Sequence, residues 1–97
     1  MIELTIVIPA HNEAGNIGTL IKEINAAFAA GPSYEIIVID DGSIDGSASE
    51  AINAGDHVRV LRHEKRTGKS RALISGFPAA RGQWIATLDG VGQNDPA

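Results

Sequence analysis

The sequence contains no cysteine, which excludes disulfide bonds and thiolate metal sites. It has no apolar run as long as a membrane-spanning helix, and Met1 leads directly into a predicted strand rather than a signal peptide. We therefore expect a cytoplasmic protein, with a membrane anchor in a longer protein left open. It also lacks an excess of basic residues, because the net charge is −4. General binding to nucleic acid is accordingly not expected.

The composition is that of a single globular domain. The chain has 97 residues, of which 43% are hydrophobic and 21% are charged, and this length suits one small core. It stops at Pro96-Ala97, within a predicted loop. We therefore expect residues 1–97 to be the N-terminal part of a longer domain.

Apolar strands alternate with helical segments along the chain. The four predicted strands are 4–8, 34–39, 57–61 and 84–88, and the predicted helices are 14–30, a short one from about 45, and 69–80. This alternation predicts an α/β fold with a Rossmann-like parallel sheet and helices on both faces. A ligand site at the switch point between the first and fourth strands predicts the strand order 3-2-1-4.

Several local features accompany these elements. Pro9 is predicted to end the first strand, and Asn12 to cap the first helix. Ser47 and Glu50 have the spacing of a capping box. The fourth strand, which begins at Trp84, is predicted to be buried because it is apolar.

Polar clusters follow all four strands, at 9–13, 40–43, 62–69 and 89–95. The carboxyl ends of parallel strands share one rim of the sheet, which is where open α/β sheets bind ligands. Asp40 and Asp41 are adjacent, so their side chains should diverge. One can accept hydrogen bonds from a base or ribose while the other caps the following helix, although both could merely solvate the turn. Asp89 is likewise either a site carboxylate or a turn residue.

Positive charge is concentrated beside these carboxylates, at Arg62, Lys65, Arg66, Lys69 and Arg71. Such a cluster suits a diphosphate, and the alternative is a solvated loop. The sequence Gly68-Lys69-Ser70 is not the end of a P-loop, because His63 stands where the earlier glycine is required. At the fourth strand, Asp89 and Gln93 offer hard oxygen ligands that suit Mg²⁺ or Mn²⁺.

Three segments resemble the family-two glycosyltransferases: Ile8–Glu13, Val38–Ser47 and Thr87–Pro96. The ending Gln93-Asn94-Asp95-Pro96 is most similar to the polyprenyl-phosphate branch, which includes dolichol-phosphate mannose synthases. The resemblance implies a glycosyltransferase A-type fold. It further implies inverting transfer of a sugar from a nucleotide-diphosphate donor to a polyprenyl phosphate, at the inner face of a membrane in the full-length protein.

The resemblance also implies roles for individual residues. Asp89 would be catalytic, as the first acid of the family's D-x-D motif, and would hold Mg²⁺ or Mn²⁺ together with Gln93. Asp41 would contact the base. The implied nucleotide-binding residues are Pro9, Ala10, His11, Glu13, Asp40, Asp41, Lys69, Arg71 and Asp89.

Two positions depart from the family pattern. His11 stands where the family usually has tyrosine, so an imidazole would replace a phenol against the base. Val91 stands where the second acid of D-x-D is expected, and valine cannot bind a hard cation. We expect weakened metal binding, and no turnover by residues 1–97 alone.

Alternative functions stay open at this point. Val91 is compatible with a non-catalytic module that binds a nucleotide sugar. A sugar nucleotidyltransferase shares the architecture, but no glycine-rich basic loop follows the first strand. Bare sheet edges also predict self-association of this chain.

Overall fold

The computed structural model describes residues 2–11, 15–42, 47–53, 55, 57–65 and 68–88, excluding the side chains of 47, 48, 69, 70, 72 and 73. The strands are β1 (Leu4–Ala10), β2 (Tyr34–Asp41), β3 (Val58–His63) and β4 (Trp84–Thr87). The helices are α1 (Ile17–Ala27), α2 (Ser47–Asn53) and α3 (Lys69–Gly76), and a 3₁₀ turn at Phe77–Ala79 follows α3.

The four strands form one parallel sheet in the order β3-β2-β1-β4, which confirms the predicted fold. On one face, the core joins even-numbered strand residues such as Ile6 and Ile36 to α1 and α2. On the other face, Val7, Ile37 and Ile39 form a smaller core beneath α3. Helices therefore cover both faces. Within the described ranges, no helix is both long and apolar enough to cross a membrane.

Three strands extend beyond their predicted ends: β1 to Ala10, β2 to Asp41 and β3 to His63. β1 continues through Pro9 to Ala10, because Pro9 lies past the part of β1 that pairs with β4. The C=O groups of Glu3 and Val7 accept hydrogen bonds from β4 and Leu88, so odd-numbered residues present their backbone polar groups to that side. A missing N–H at Pro9 therefore breaks no bond to β2. β3 likewise extends to His63, which the sequence analysis assigned to a loop.

The start of α1 is held by a residue of another helix. The helix begins at Ile17 with Asn16 at its N-cap, so the prediction that Asn12 caps it is wrong. The Glu50 carboxylate instead accepts the backbone N–H groups of Gly15 and Gly18, at 2.6 and 2.7 Å. A carboxylate at this end of a helix satisfies free donors and complements the helix dipole. Glu50 of α2 therefore caps α1. This differs from the predicted capping box, in which Glu50 would pair with Ser47 at the start of its own helix.

The α3 face depends on a glycine. A Cβ atom at Gly76 would lie 2.7 Å from Cγ1 of Val7 and 3.2 Å from Cδ1 of Ile39. This is closer than carbon atoms can pack, so any other residue would push α3 away from β1 and β2. Phe77, in the 3₁₀ turn directly after α3, is 42% exposed.

β4 is an exposed edge strand, contrary to the prediction that it is buried. Trp84 is 73% exposed, Ile85 45% and Leu88 41%. The strand pairs with β1 alone, and α3 covers β1 and β2 instead. In register, Trp84 lies beside Leu4 and Ala86 beside Ile6, which places Trp84, Ala86 and Leu88 on the face of α1. The apolar composition indicated burial, yet among the described residues no element covers this strand.

A buried carboxylate joins the amino-terminal ends of the strands. Oε2 of Glu35 in β2 accepts the Thr5 hydroxyl of β1 and the Arg81 backbone N–H, each at 2.7 Å. Its Oε1 accepts Nη2 of Arg59 in β3 at 2.8 Å. Thr5 Oγ1 in turn accepts the Gly82 N–H at 2.8 Å. Burial alone would raise the pKa of the Glu35 carboxyl, but the Arg81 N–H, the Thr5 hydroxyl and Arg59 outweigh it and lower that pKa.

Replacement of Glu35 by glutamine should destabilise the fold by about 2–4 kcal/mol at pH 7, since the amide gives Arg59 no anion and meets donors with an NH₂ group. Because the folded pKa lies below the ordinary value of 4.5, the stabilisation by Glu35 is complete above that value. It is lost as the pH falls from there through the folded pKa.

Urea unfolding at pH 7 and through the acid range measures both effects. The Glu35→Gln variant should lose less stability on acidification than the parent protein. Glu23→Gln, at an exposed position of α1, is the matched control and should unfold like the parent. Equal stability of the two variants at pH 7 would contradict the role given to Glu35.

Candidate functional site

Three strands end side by side at one rim of the sheet. The parallel register places Ala10 of β1 beside Asp40 of β2, and Asp40 beside Arg62 of β3. Asp41 lies next to His63 in the same register. The carboxyl ends of the strands therefore bring the end of β1 and the two aspartates together, as the sequence predicts. Lys69 and Arg71 lie close by, because α3 begins shortly after β3.

The adjacent aspartates serve opposite faces of the sheet. Asp40 follows the even-numbered residues of the α1 face, and its Oδ2 lies 3.6 Å from Nε of Arg62. The Arg62 side chain is 63% exposed, so this pair contributes little to stability. Asp41 follows the odd-numbered residues toward α3. Both carboxylates are nearly buried, which keeps their geometry fixed.

The Asp41 carboxylate is bound from two directions. Its Oδ1 lies 3.0 Å from Nδ1 of His63, and its Oδ2 accepts the backbone N–H of Gly68 at 2.8 Å. Gly68 is the N-cap residue of α3 and has a φ of 99°, which disfavours residues with a side chain. Each carboxylate oxygen of Asp41 therefore has a partner, one on β3 and one at the start of α3.

His11 is oriented by the backbone of β2. Its Nδ1 lies 2.8 Å from the carbonyl oxygen of Asp41. A carbonyl can only accept, so Nδ1 carries a proton. The imidazole is therefore held against the end of β2, beside the carboxylate predicted to read the base. Pro9 and Ala10 lead into it as the last two residues of β1.

Two residues that the sequence analysis did not place in the site belong to the same network. Nε2 of His63 lies 2.9 Å from Oγ of Ser75, in the second turn of α3. The Ser75 Oγ also lies 3.1 Å from the carbonyl oxygen of Arg71. β3 continues two residues past its predicted end, and this extension places His63 beside Asp41 in the register of the sheet. Arg71 is exposed, and Lys69 is the first residue of α3.

The predicted metal site lies beyond the described residues, as does Glu13. Asp89, Val91 and Gln93 all follow Leu88, whose N–H donates to the Val7 carbonyl at 3.0 Å. Asp89 is the next residue in the sequence. In the part of the chain that the structure describes, no three His, Asp or Glu residues are grouped to hold a metal ion.

A different cavity lies at each end of the sheet. A cavity of about 650 Å³ lies at the amino ends of β2 and β3 and is lined by Tyr34, His57 and Arg81 among others. A smaller one, about 380 Å³, is lined by His63, Arg71, Ile74 and Ser75. The larger cavity lies at the end of a parallel sheet that does not ordinarily bind ligands, whereas the smaller adjoins the rim that does.

Comparison with known proteins agrees with this arrangement. The family model described as "Glycosyl transferase family 2" matches residues 5–96. The chain is 36% identical over 103 residues to dodecaprenyl-phosphate galacturonate synthase of Rhizobium johnstonii, covering 98% of this chain and 30% of that protein. It is 39% identical over 99 residues to undecaprenyl-phosphate 4-deoxy-4-formamido-L-arabinose transferase of Klebsiella pneumoniae subsp. pneumoniae, covering 97% and 30%.

A solved structure supports the same assignment. Glucosyl-3-phosphoglycerate synthase from Mycobacterium tuberculosis, in complex with Mn²⁺, uridine diphosphate and phosphoglyceric acid, superposes with a TM-score of 0.77 at 32% identity. The match covers 91% of this chain and 32% of that one. The chain thus spans about a third or less of the length of these relatives, and its fold is the glycosyltransferase A-type fold. With 92 consecutive residues matched by the family description, the chain belongs to glycosyl transferase family 2.

Proposed function

We propose that this chain is the donor-binding part of an inverting glycosyltransferase that transfers a sugar from a nucleotide diphosphate to a polyprenyl phosphate. Its nucleotide would lie across the rim formed by β1, β2 and α3. The observation that carries the proposal is the Asp41 carboxylate, which is fixed by His63 and Gly68 beside the imidazole of His11. A fixed acceptor favours recognition of the base, because binding then incurs no entropic cost for ordering the acceptor side chain.

Charge around the rim also suits this donor. Asp41 would accept an N–H of the base, with His11 against its ring, while Arg71 and Lys69 would face the diphosphate from the start of α3. Pro9, Ala10, Glu13 and Asp40 would line the same pocket. A cationic helix residue can neutralise phosphate charge through a charge-assisted hydrogen bond.

The names of the family relatives support the proposed acceptor and cation. Two of them are named as polyprenyl-phosphate sugar transferases, and a third was crystallised with Mn²⁺. We infer that a polyprenyl phosphate attacks the anomeric carbon as the bond to the diphosphate breaks, which inverts that carbon. A phosphate oxygen is already anionic, so it needs no general base. This acceptor would place the full-length protein at the inner face of a membrane.

Oxygen ligands for Mg²⁺ or Mn²⁺ are present in the chain after β4. The Asp89 carboxylate and the Gln93 amide oxygen are of the type these ions prefer, and Val91 between them is not. When bound, the cation would neutralise charge on the departing diphosphate. Asp89 would be the catalytic residue of this segment, since it would reach the reacting end of the donor.

Replacement of Asp41 by alanine should weaken binding of a nucleoside diphosphate by about tenfold or more, because it removes a charge-assisted acceptor for the base. Calorimetric titration with uridine and guanosine diphosphates, with Mn²⁺ and with chelator, measures this. The loss should be equal with and without the metal ion. Glu23→Ala, which removes a carboxylate far from the rim, is the control. Unchanged affinity in Asp41→Ala would place the base elsewhere.

Restoration of the missing acid tests the cation. Val91→Asp should tighten binding of the diphosphate when Mg²⁺ or Mn²⁺ is present and leave it unchanged in chelator, since only the metal-bound state gains a hard ligand. The same titration of parent and Val91→Asp chains measures the difference. Val91→Asn, which adds a polar group of similar size without charge, should gain less. A gain that persists in chelator would contradict the metal assignment. The metal assignment would also be contradicted if the parent chain already bound the metal ion and the diphosphate as tightly as Val91→Asp does.

The exposed β4 edge leads to a proposal about association. We expect residues 1–97 to self-associate, because β4 presents both free backbone groups and the apolar side chains of Trp84, Ile85 and Leu88. Light scattering across a concentration series should show species larger than a monomer. Trp84→Lys should shift the chain toward monomer, while Lys22→Ala on exposed α1 should not. A monomer at all concentrations would defeat this expectation.

A further inference from the structure

We propose that His63 is a positioning residue for the nucleotide base: it holds Asp41 in place from one side and α3 from the other. This inference rests on the proposed function, because Asp41 is taken as the base acceptor. The chain of contacts runs from Asp41 through the His63 ring to Ser75. It joins the ends of two strands to the helix that carries Arg71.

The hydrogen bond to Asp41 fixes the orientation of the imidazole. An ionised carboxylate offers acceptors only, so the proton between Oδ1 and Nδ1 belongs to His63. The distance is 3.0 Å, and the Asp41 side chain is only 4% exposed. With little water to compete, this bond restricts the Asp41 carboxylate to one rotamer. The second oxygen then meets the N–H of Gly68 at 2.8 Å.

The other ring nitrogen connects the same unit to α3. Nε2 of His63 and Oγ of Ser75 are 2.9 Å apart, and Ser75 lies one helical turn after Arg71. The helix is thus attached to the rim at two points, Gly68 at its start and Ser75 farther along. Two attachments fix the direction of a helix as well as its position. The distance between the base acceptor Asp41 and the cation Arg71 is consequently set by His63.

The position of His63 suits this task better than direct contact with the base. Its side chain is 21% exposed, and Asp41 lies on one side of the ring with Ser75 on the other. The cavity of about 380 Å³ beside it is lined by Arg71, Ile74 and Ser75 as well. His63 would therefore affect a ligand at the rim mainly indirectly, through the positions of Asp41 and Arg71.

Two amide replacements separate the two arms of the imidazole. The amide nitrogen of His63→Asn reaches the place of Nδ1 and can still donate to Asp41, whereas that of His63→Gln reaches toward Nε2 and Ser75. We expect His63→Ala to weaken binding of uridine or guanosine diphosphate by about tenfold. His63→Asn should recover most of this loss and His63→Gln less. Inorganic pyrophosphate, which lacks the base, should bind all three variants equally in a competition titration.

A second measurement needs no nucleotide. In His63→Ala, hydrogen exchange of the Gly68 N–H should accelerate, because its acceptor on Asp41 is no longer held, and His63→Asn should restore protection. The control is His57→Asn, at the other end of β3. It suits the local φ of 72° and leaves the rim intact. It should change neither exchange at Gly68 nor nucleotide affinity.

The outcomes distinguish the two proposals. If the parent chain binds neither nucleoside diphosphate, the proposed function fails, and exchange at Gly68 still decides whether His63 orients Asp41. If the parent binds but His63→Ala binds as tightly, or loses pyrophosphate to the same degree, the positioning role is wrong. Unchanged exchange at Gly68 in a folded His63→Ala variant would also overturn it.

Discussion

The fold depends on a single buried carboxylate at the end of the sheet that faces away from the proposed site. Glu35 accepts hydrogen bonds from β1, from β3 and from the segment that leads into β4. The central strands are apolar on both faces, so a slip of one residue would still bury apolar side chains, and the apolar pattern alone specifies their register weakly. A carboxylate with fixed partners permits one alignment. That alignment carries through the strands to the rim, where it sets Ala10 beside Asp40 and Asp41 beside His63.

The consequence is a division between two ends of one sheet. At the Glu35 end, polar groups are satisfied within the protein. At the rim, the buried carboxylates of Asp40 and Asp41 lie on a strand whose register is set at the other end, and His11 directly follows β1. A binding site benefits from this arrangement because its side chains are placed by rigid strands rather than by loops. The His63 bridge extends the same rigidity to α3.

Much of this could be predicted from the residues. Continuous apolar strands alternating with helices indicate a parallel sheet, and the polar residues after each strand indicate the rim. Other features depend on contacts that no local pattern contains. Glu50 has capping-box spacing with Ser47, but its carboxylate reaches α1 instead. The strand that begins at Trp84 has the apolar composition of a core strand, but it is an exposed edge strand. The position of His63 could not be predicted without the C-terminal end of β3, because the strand ends in polar residues whose pattern is that of a loop.

The contacts of Glu50 also bear on how this protein can diverge. The connection between β1 and α1 has its entry tied to β2 through His11 and its exit tied to α2 through Gly15 and Gly18. Both ties are made by atoms outside positions 12–14. A Cβ atom at Gly18 would lie 2.7 Å from the Glu50 carboxylate, so a larger residue there would displace that side chain from its hydrogen bonds. A substitution at Glu50 or Gly18 would therefore disturb the start of α1, whereas the contact of His11 with β2 depends on neither residue.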